Sequence, residues 1–480
     1  MSKWKVFVLV AIAQFMVVLD GSITNVALPT IKQQLHFTSS SIQWVVTAYV
    51  LTFGGFLLLG GRAADLFGRR RMLLIGMTAF TVFSLLIGMS HTTTMLIVLR
   101  ALQGMSAALM SPAALSIVLT TFRDGPDRNK ALGYWTLVAT GGAAVGLLLG
   151  GILTEYAGWR WNFFVNVPVG FMIVLAIARY VPKHAREEAY TGLDLPGAVL
   201  VTTSLIALVL AFSEASSWGW TSAPILGLFA AALGLMVAFL FNESKSNHPL
   251  VPLSIFRIRN VSGANLMMAP IQAAMFGLFF AVTLYMQGVL HFTPILTGLA
   301  FLPFPVILGF TSTRIPGLVA RYGFKRFLII GPILIAAGMA WLSRLPTEGS
   351  YFVHILPALL VIPLGMGLTL MPVTAAATSG VPARETGLAS GLINTAQQMG
   401  GALGLAILSG VVTSVTAASG HLGHLGALVH GYDRAFLVSM MFIIIAAVLG
   451  ATIIKQPRHT ASKLKSEPAG NRAARAVLDV

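Results

Sequence analysis

The 480-residue chain is 56% hydrophobic and 10% charged, which excludes a string of soluble domains and marks a polytopic membrane protein. Lys and Arg outnumber Asp and Glu 31 to 15, yet 26 of those 31 fall on one side of the apolar runs, with Lys32, Arg160, Arg344 and Arg434 opposite and Arg100 inside a run. That asymmetry is a topology signal favouring anionic-lipid contact over nucleic acid, and the absence of cysteine excludes disulfides, thiol catalysis and iron–sulfur clusters.

Met1-Ser-Lys-Trp-Lys5 ahead of apolar sequence has the look of a signal peptide, but the run continues past Asp20 without a small-residue cleavage site, so an uncleaved first helix is expected. At about 20 apolar residues per span, helices are expected near 6–29, 43–62, 72–90, 95–118, 131–153, 162–181, 195–213, 223–241, 262–288, 296–313, 325–343, 353–377, 388–413 and 434–454. This gives an all-α chain of fourteen transmembrane helices, with both termini on the basic, cytoplasmic face of the cell membrane. The organisation that follows is an N-terminal six-helix bundle (1–182), two inserted helices (193–245), a C-terminal six-helix bundle (260–455) and a disordered cytoplasmic tail (456–480). The short connections leave no room for a soluble catalytic domain.

In chain order, the first telling stretch is Phe15-Met-Val-Val-Leu-Asp20-Gly-Ser-Ile-Thr-Asn25, an acid deep in an apolar helix. A carboxylate at that depth costs at least roughly 2.5–3.5 kcal/mol, so it faces a bundle interior or a water cavity and marks a pathway. The first cytoplasmic hairpin, Gly60-Gly61-Arg-Ala-Ala-Asp65-Leu-Phe-Gly68-Arg69-Arg70-Arg71, combines turn glycines with arginines that hold the cytoplasmic face. A weaker echo, Gly317 to Arg326 with Gly323 in the place of Gly68, suggests two halves built on one plan.

The fourth span carries Arg100, Gln103 and Gly104. At 1.5 Å per residue Asp20 and Arg100 both lie about 12–13 Å below the outer boundary, so an ion pair between them is expected. Protonating Asp20 would break it, which makes a coupling step. In the fifth span Gly142, Gly146 and Gly150 share one face, with Gly133 and Gly151 flanking, and let a neighbouring helix approach closely. Asn394, Gln397 and Gln398 share a face of the penultimate span, where they line a cavity or bond another helix; Asn25 and Gln103 are counted with them as possible cavity residues. His421, His424 and His430 stand in a Gly- and Ala-rich segment with Asp433 as the one nearby acid, so a solvated loop is expected there and no metal site.

Together these stretches resemble the major facilitator superfamily, and the fourteen-span count resembles its drug:proton antiporter branch. The resemblance rests on Leu19-Asp20 and Asn25 to Ile31 in the first helix, Gly61, Asp65, Gly68, Arg69 and Arg70 in the hairpin, Arg100, Gln103 and Gly104 in the fourth helix, and Gly133, Gly142, Gly146, Gly150 and Gly151 in the fifth. It implies proton coupling at Asp20 and Arg100, a cytoplasmic gate at Gly61, Asp65, Gly68, Arg69 and Arg70, and a flexing interface at the fifth-helix glycines. Leu147 replaces the proline usual in the antiporter motif, and Ala63 the usual hairpin leucine.

The expectation is therefore a proton-coupled exporter of lipophilic drugs or antibiotics working by alternating access. It needs no cofactor beyond a proton gradient, since nothing resembles GxxxxGK[ST]. Its partners would be a hydrophobic small molecule, protons and membrane lipids, acting on a monomer. Alternatives are export of an endogenous lipid or metabolite, and proton-linked uptake. A membrane-embedded enzyme would need clustered catalytic acids, histidines or metal ligands near one interface, and the sequence has no such cluster.

Overall fold

The computed structural model describes residues 3–38, 41–122, 126–181, 194–246, 249–381 and 386–455. The expected tail, 456–480, lies outside them. Every described element is helical: α1 (Lys3–Gln34), α2 (Trp44–Phe67), α3 (Arg69–Gly88), α4 (Thr93–Thr121), α5 (Pro126–Tyr156), α6 (Trp161–Phe164), α7 (Asn166–Tyr180), α8 (Leu195–Trp218), α9 (Ala223–Lys245), α10 (Arg259–Gly288), α11 (Pro294–Phe301), α12 (Pro303–Tyr322), α13 (Phe327–Leu342), α14 (Leu356–Thr378), α15 (Thr386–Ala418) and α16 (Gly423–Thr452). A helix satisfies all of its own backbone polar groups, which is the condition for crossing hydrocarbon.

Local chemistry sets the ends. The Thr92 hydroxyl accepts from Met95 N at 3.2 Å to start α4, and the Thr293 hydroxyl accepts from Leu296 N at 3.3 Å to start α11. Gly68 (φ +94°) turns α2 into α3, and Gly323 (φ +74°) turns α12 into α13. The two hairpins that echo each other in sequence thus share a backbone conformation that other residues rarely adopt.

Several boundaries differ from the sequence reading. Twelve described helical segments are long and apolar enough to span a membrane, while Gly141–Tyr156 and Phe327–Leu342 are apolar but shorter. Of the two expected spans outside those twelve, α13 is brief at 16 residues, while α5 runs 31 residues from Pro126 to Tyr156 with Gly141–Tyr156 as its described apolar part. α1 passes through Pro29 to Gln34 and outruns its expected end, since an apolar-run count sees the hydrocarbon thickness and not the helix that emerges from it. The segment expected as an outer loop before residue 434 is largely helical, with α16 starting at Gly423 and carrying His424 and His430.

One apolar cluster joins Val10, Val45, Phe80, Leu96, Ile117 and Phe163 from the first half; a second joins Met267, Ile271, Leu328, Ile335, Leu359 and Phe436 from the second. Of the inserted pair, α8 lies against α2 and α15, with α9 packed on α8: the Gln43 amide donates to Ser213 Oγ at 2.6 Å, and Gly55 sits against Thr202. Buried Asp194 caps α8 through Gly197 N at 2.8 Å and accepts from Asn242 at 2.7 Å, pinning α8 to the end of α9.

Candidate functional site

Asp20 has no solvent exposure and Arg100 is 1% exposed, and Arg100 Nη1 donates to Asp20 Oδ2 at 2.5 Å. An ion pair taken from water holds only when its remaining donors and acceptors are satisfied. Here they are. Gln103 Nε2 donates to Asp20 Oδ1 at 2.9 Å and Asn166 Nδ2 to the same oxygen at 3.2 Å. Arg100 also donates from Nε to Val45 O at 2.9 Å and from Nη1 to Gln103 Oε1 at 2.6 Å, while its guanidinium lies 4.3 Å from the centre of the Tyr49 ring. Gln103 extends the network to Ser84 Oγ at 2.8 Å.

The network draws on α1, α2, α3, α4 and α7, so it locks most of the first half together. Its assembly depends on Gly104, where a Cβ would collide with Tyr49 O and Thr52 Oγ1. A bare glycine one helical turn after Arg100 lets α4 lie against the α2 backbone, which places the guanidinium at Val45 O. Gln103, expected in the cavity wall, is instead fully buried in this network, because it projects toward Ser84 and Asp20.

Beside the pair lies a cavity of about 460 Å³, of drug-sized dimensions. Arg100 and Tyr49 lie in its wall with Asn25, Asn394, Gln397 and Gln398, whereas Asp20 sits behind the surface, reached through Arg100. The apolar part of the wall comes from both halves, with Phe53 and Trp135 from the first and Phe276 and Phe279 from the second.

The α5 glycines divide in two. A Cβ on Gly146 would stand 2.8 Å from Ser22 Cβ and 2.9 Å from Leu19 O, and one on Gly150 2.8 Å from Ile23 O, so α5 rests directly on the α1 backbone that carries Asp20. Gly142 sits beside Phe15 and Val18, and Gly151 against Pro294 O of α11, across the junction of the halves. Gly133 is different: nothing lies within 4 Å of its Cβ position, and it takes no part in this interface. Near Gly151 two further bonds cross between the halves, Ile295 N to Glu155 Oε2 at 3.0 Å and Gln287 Nε2 to Val26 O at 2.9 Å.

In the hairpin, Arg70 donates to Ile177 O and Ala178 O at the end of α7, where the helix dipole favours a cation. A Cβ on Gly61 would lie in ordinary contact with Pro112. Arg69 is the first residue of α3. Asp65 belongs to α2, and its side chain lies outside the described residues. Sequence reasoning missed Asn166, Tyr49, Ser84 and Gln14. Asn166 and Gln14 carried a usable signal, a carboxamide opening the apolar run Val167 to Ile177 and one inside the run Val8 to Val18; Tyr49 and Ser84 are unexceptional in their helices and matter only by where the helices meet.

A buried ion pair opening through its arginine onto a central cavity between two helical halves defines a membrane carrier. The profile of the Major Facilitator Superfamily matches residues 10–405, and the chain belongs to that family. It is similar to the puromycin resistance protein pur8 of Streptomyces alboniger, 41% identical over 473 residues covering 97% of this chain and 94% of that protein. It is similar as well to the cephamycin export protein CmcT of Amycolatopsis lactamdurans, 38% identical over 456 residues covering 94% and 93%. In structure it resembles the nucleoside transporter NupG, with a TM-score of 0.66, 12% identity and coverage of 94% of this chain and all of that one. The protein is a multi-pass membrane transporter, not an enzyme.

Proposed function

We propose that this transporter exports drug- or antibiotic-like molecules in exchange for protons, with Asp20 as the proton site and Arg100 as the link to the substrate. Relatives named for resistance and export support the direction. The observation that carries the coupling is that Arg100 bonds Asp20 on one side and lines the cavity on the other. With Asp20 ionised the pair is neutral and Arg100 is held down. A proton on Asp20 removes its counter-charge and leaves Arg100 as a net cation at the cavity wall, free to take the hydrogen bonds a substrate had used. Substrate leaves outward; proton release inward restores the pair.

The interface of α5 with α1 and α11 is the element that moves between the two open states, and the bonds Ile295–Glu155 and Gln287–Val26 close the outer end in the present one. Gly61, Asp65, Gly68, Arg69 and Arg70 form the cytoplasmic gate. Six helices, two inserted helices and six more give fourteen spans, with α5 and the short α13 added to the twelve, both termini cytoplasmic, in the cell membrane. The unit is a monomer in contact with lipid.

The test is flux in proteoliposomes with an imposed pH gradient. Wild type is expected to accumulate substrate against its gradient, and Asp20→Asn to fold and bind but lose all gradient-driven transport. Undiminished gradient-driven flux in Asp20→Asn would refute the assignment.

A further inference from the structure

We infer that the transported molecule is an uncharged aromatic compound bearing both hydrogen-bond donors and acceptors, and that permanent cations and anions are poor ligands of this cavity. This rests on the proton-exchange reading above and names the substrate class for it.

The cavity wall is made of carboxamides and rings. Gln14, Asn25, Asn394, Gln397 and Gln398 supply five amide groups, and no carboxylate stands among the described lining residues. Gln14 Oε1 is buried without a hydrogen-bond partner among the described residues, an acceptor waiting for an N–H or O–H. No described residue bonds the side chains of Asn394, Gln397 or Gln398, which leaves three amides on one face of α15 to read donors and acceptors of a guest. Asn25, by contrast, spends its NH2 on Gly21 O at 3.0 Å and offers its carbonyl oxygen.

The charge balance excludes the two ionic classes separately. The one formal charge in the described wall is Arg100, already neutralised by Asp20 behind it. A cation entering would lose hydration with no carboxylate in the described wall to replace it, and the one formal charge it would meet there is also positive. Of the rings in the wall, Tyr49 already lies against Arg100, and Phe53, Trp135, Phe276 and Phe279 are left to stack on an aromatic guest; a ring face without a carboxylate returns to a cation only part of the hydration it loses. An anion fails for a different reason. While Asp20 is ionised it meets no net positive charge, because Arg100 is already paired, and it would bind only when a proton on Asp20 leaves Arg100 positive, so it would travel with the proton and not against it, which is uptake and not export. A neutral guest is the class that competes with Arg100 for hydrogen bonds without reversing the direction of coupling.

The experiment uses purified, full-length transporter without any gradient and three coumarins of equal ring size, bearing a primary carboxamide, a trimethylammonium or a carboxylate. Energy transfer from Trp135 to bound coumarin is the readout, with Trp135→Phe identifying the signal from the cavity. The carboxamide is expected to bind at least about tenfold more tightly than either charged probe, a factor within reach of one desolvated group. Gln397→Glu or Asn394→Asp, each supplying the missing carboxylate, is expected to raise affinity for the trimethylammonium probe at least about tenfold. Equal or tighter binding of the ammonium or carboxylate probe to wild type would overturn the inference, as would carboxylate variants with unchanged preference. Because binding is read at equilibrium, a failure of proton coupling in the Asp20→Asn flux assay leaves this result standing, and the two failures are separable.

Discussion

The two halves of the molecule bury polarity in different ways. In the first, Asp20, Arg100, Gln103, Ser84 and Asn166 bond to one another across four helices. In the second, the buried polar residues are small hydroxyls. Thr297, Thr369 and Ser439 each bond a carbonyl four residues back on their own helix, at 3.0, 2.7 and 2.9 Å, and Ser409 one three residues back at 3.3 Å. No described Asp, Glu, Lys or Arg is buried in the membrane-spanning part of that half. A hydroxyl paired to its own helix satisfies one donor and binds nothing else, whereas the first half holds a charge pair that a proton can open. The difference teaches a division of labour: the buried charge pair sits in the first half, and the second contributes aromatic rings and the amide face of α15 to the shared cavity.

The sharpest way to break this contrast is Arg100→Ala. Leaving Asp20 buried and unpaired should destabilise the protein by about 3–5 kcal/mol, read as a large drop in detergent melting temperature with no recoverable transport. The double change Asp20→Asn with Arg100→Leu should regain most of the stability and none of the coupling, so a double variant as unstable as Arg100→Ala would show that the pair is not the source of the loss. Next in size is Gly146→Val. Its side chain would strike Leu19 O and Ser22, and overpacking of this kind costs about 1–3 kcal/mol; transport rate should fall further than expression, and equal initial rates at equal protein would contradict a moving α1–α5 contact.

Thr369→Val tests the other half. It keeps the side-chain shape and removes one self-helix bond, so stability should change by no more than about 1 kcal/mol and flux should hold. The smallest effect belongs to Gly133→Ala, where no atom lies near the new methyl and helix propensity gains about 1 kcal/mol at most. Melting temperature should stay level or rise slightly, and a strong loss of transport there would place Gly133 in a contact made in another state of the cycle.

How much of this was legible beforehand depends on how local the signal is. Apolar length announced the helices, and equal depth along two helices announced that Asp20 and Arg100 could meet, because 1.5 Å per residue turns sequence distance into depth without knowledge of packing. Close approach along Gly142, Gly146 and Gly150 was visible for the same reason, since a four-residue spacing stacks positions on one face. Helix ends were misjudged wherever a helix leaves hydrocarbon without stopping, as α1 does past Pro29 and α16 does from Gly423.

By itself, then, the order of residues determined an all-helical chain of the Major Facilitator Superfamily, its hairpin turns at Gly68 and Gly323, and an acid and an arginine at one depth. Only the tertiary structure decided that Gln103 turns inward to Asp20 while Gln397 and Gln398 meet the cavity, that Tyr49 lies against the guanidinium, and that no described residue lies within 4 Å of a Cβ at Gly133. The reason is rotational: sequence sets a residue's height on its helix, but which neighbour it faces follows from how each helix is turned about its axis, and that is settled by the packing of all the others.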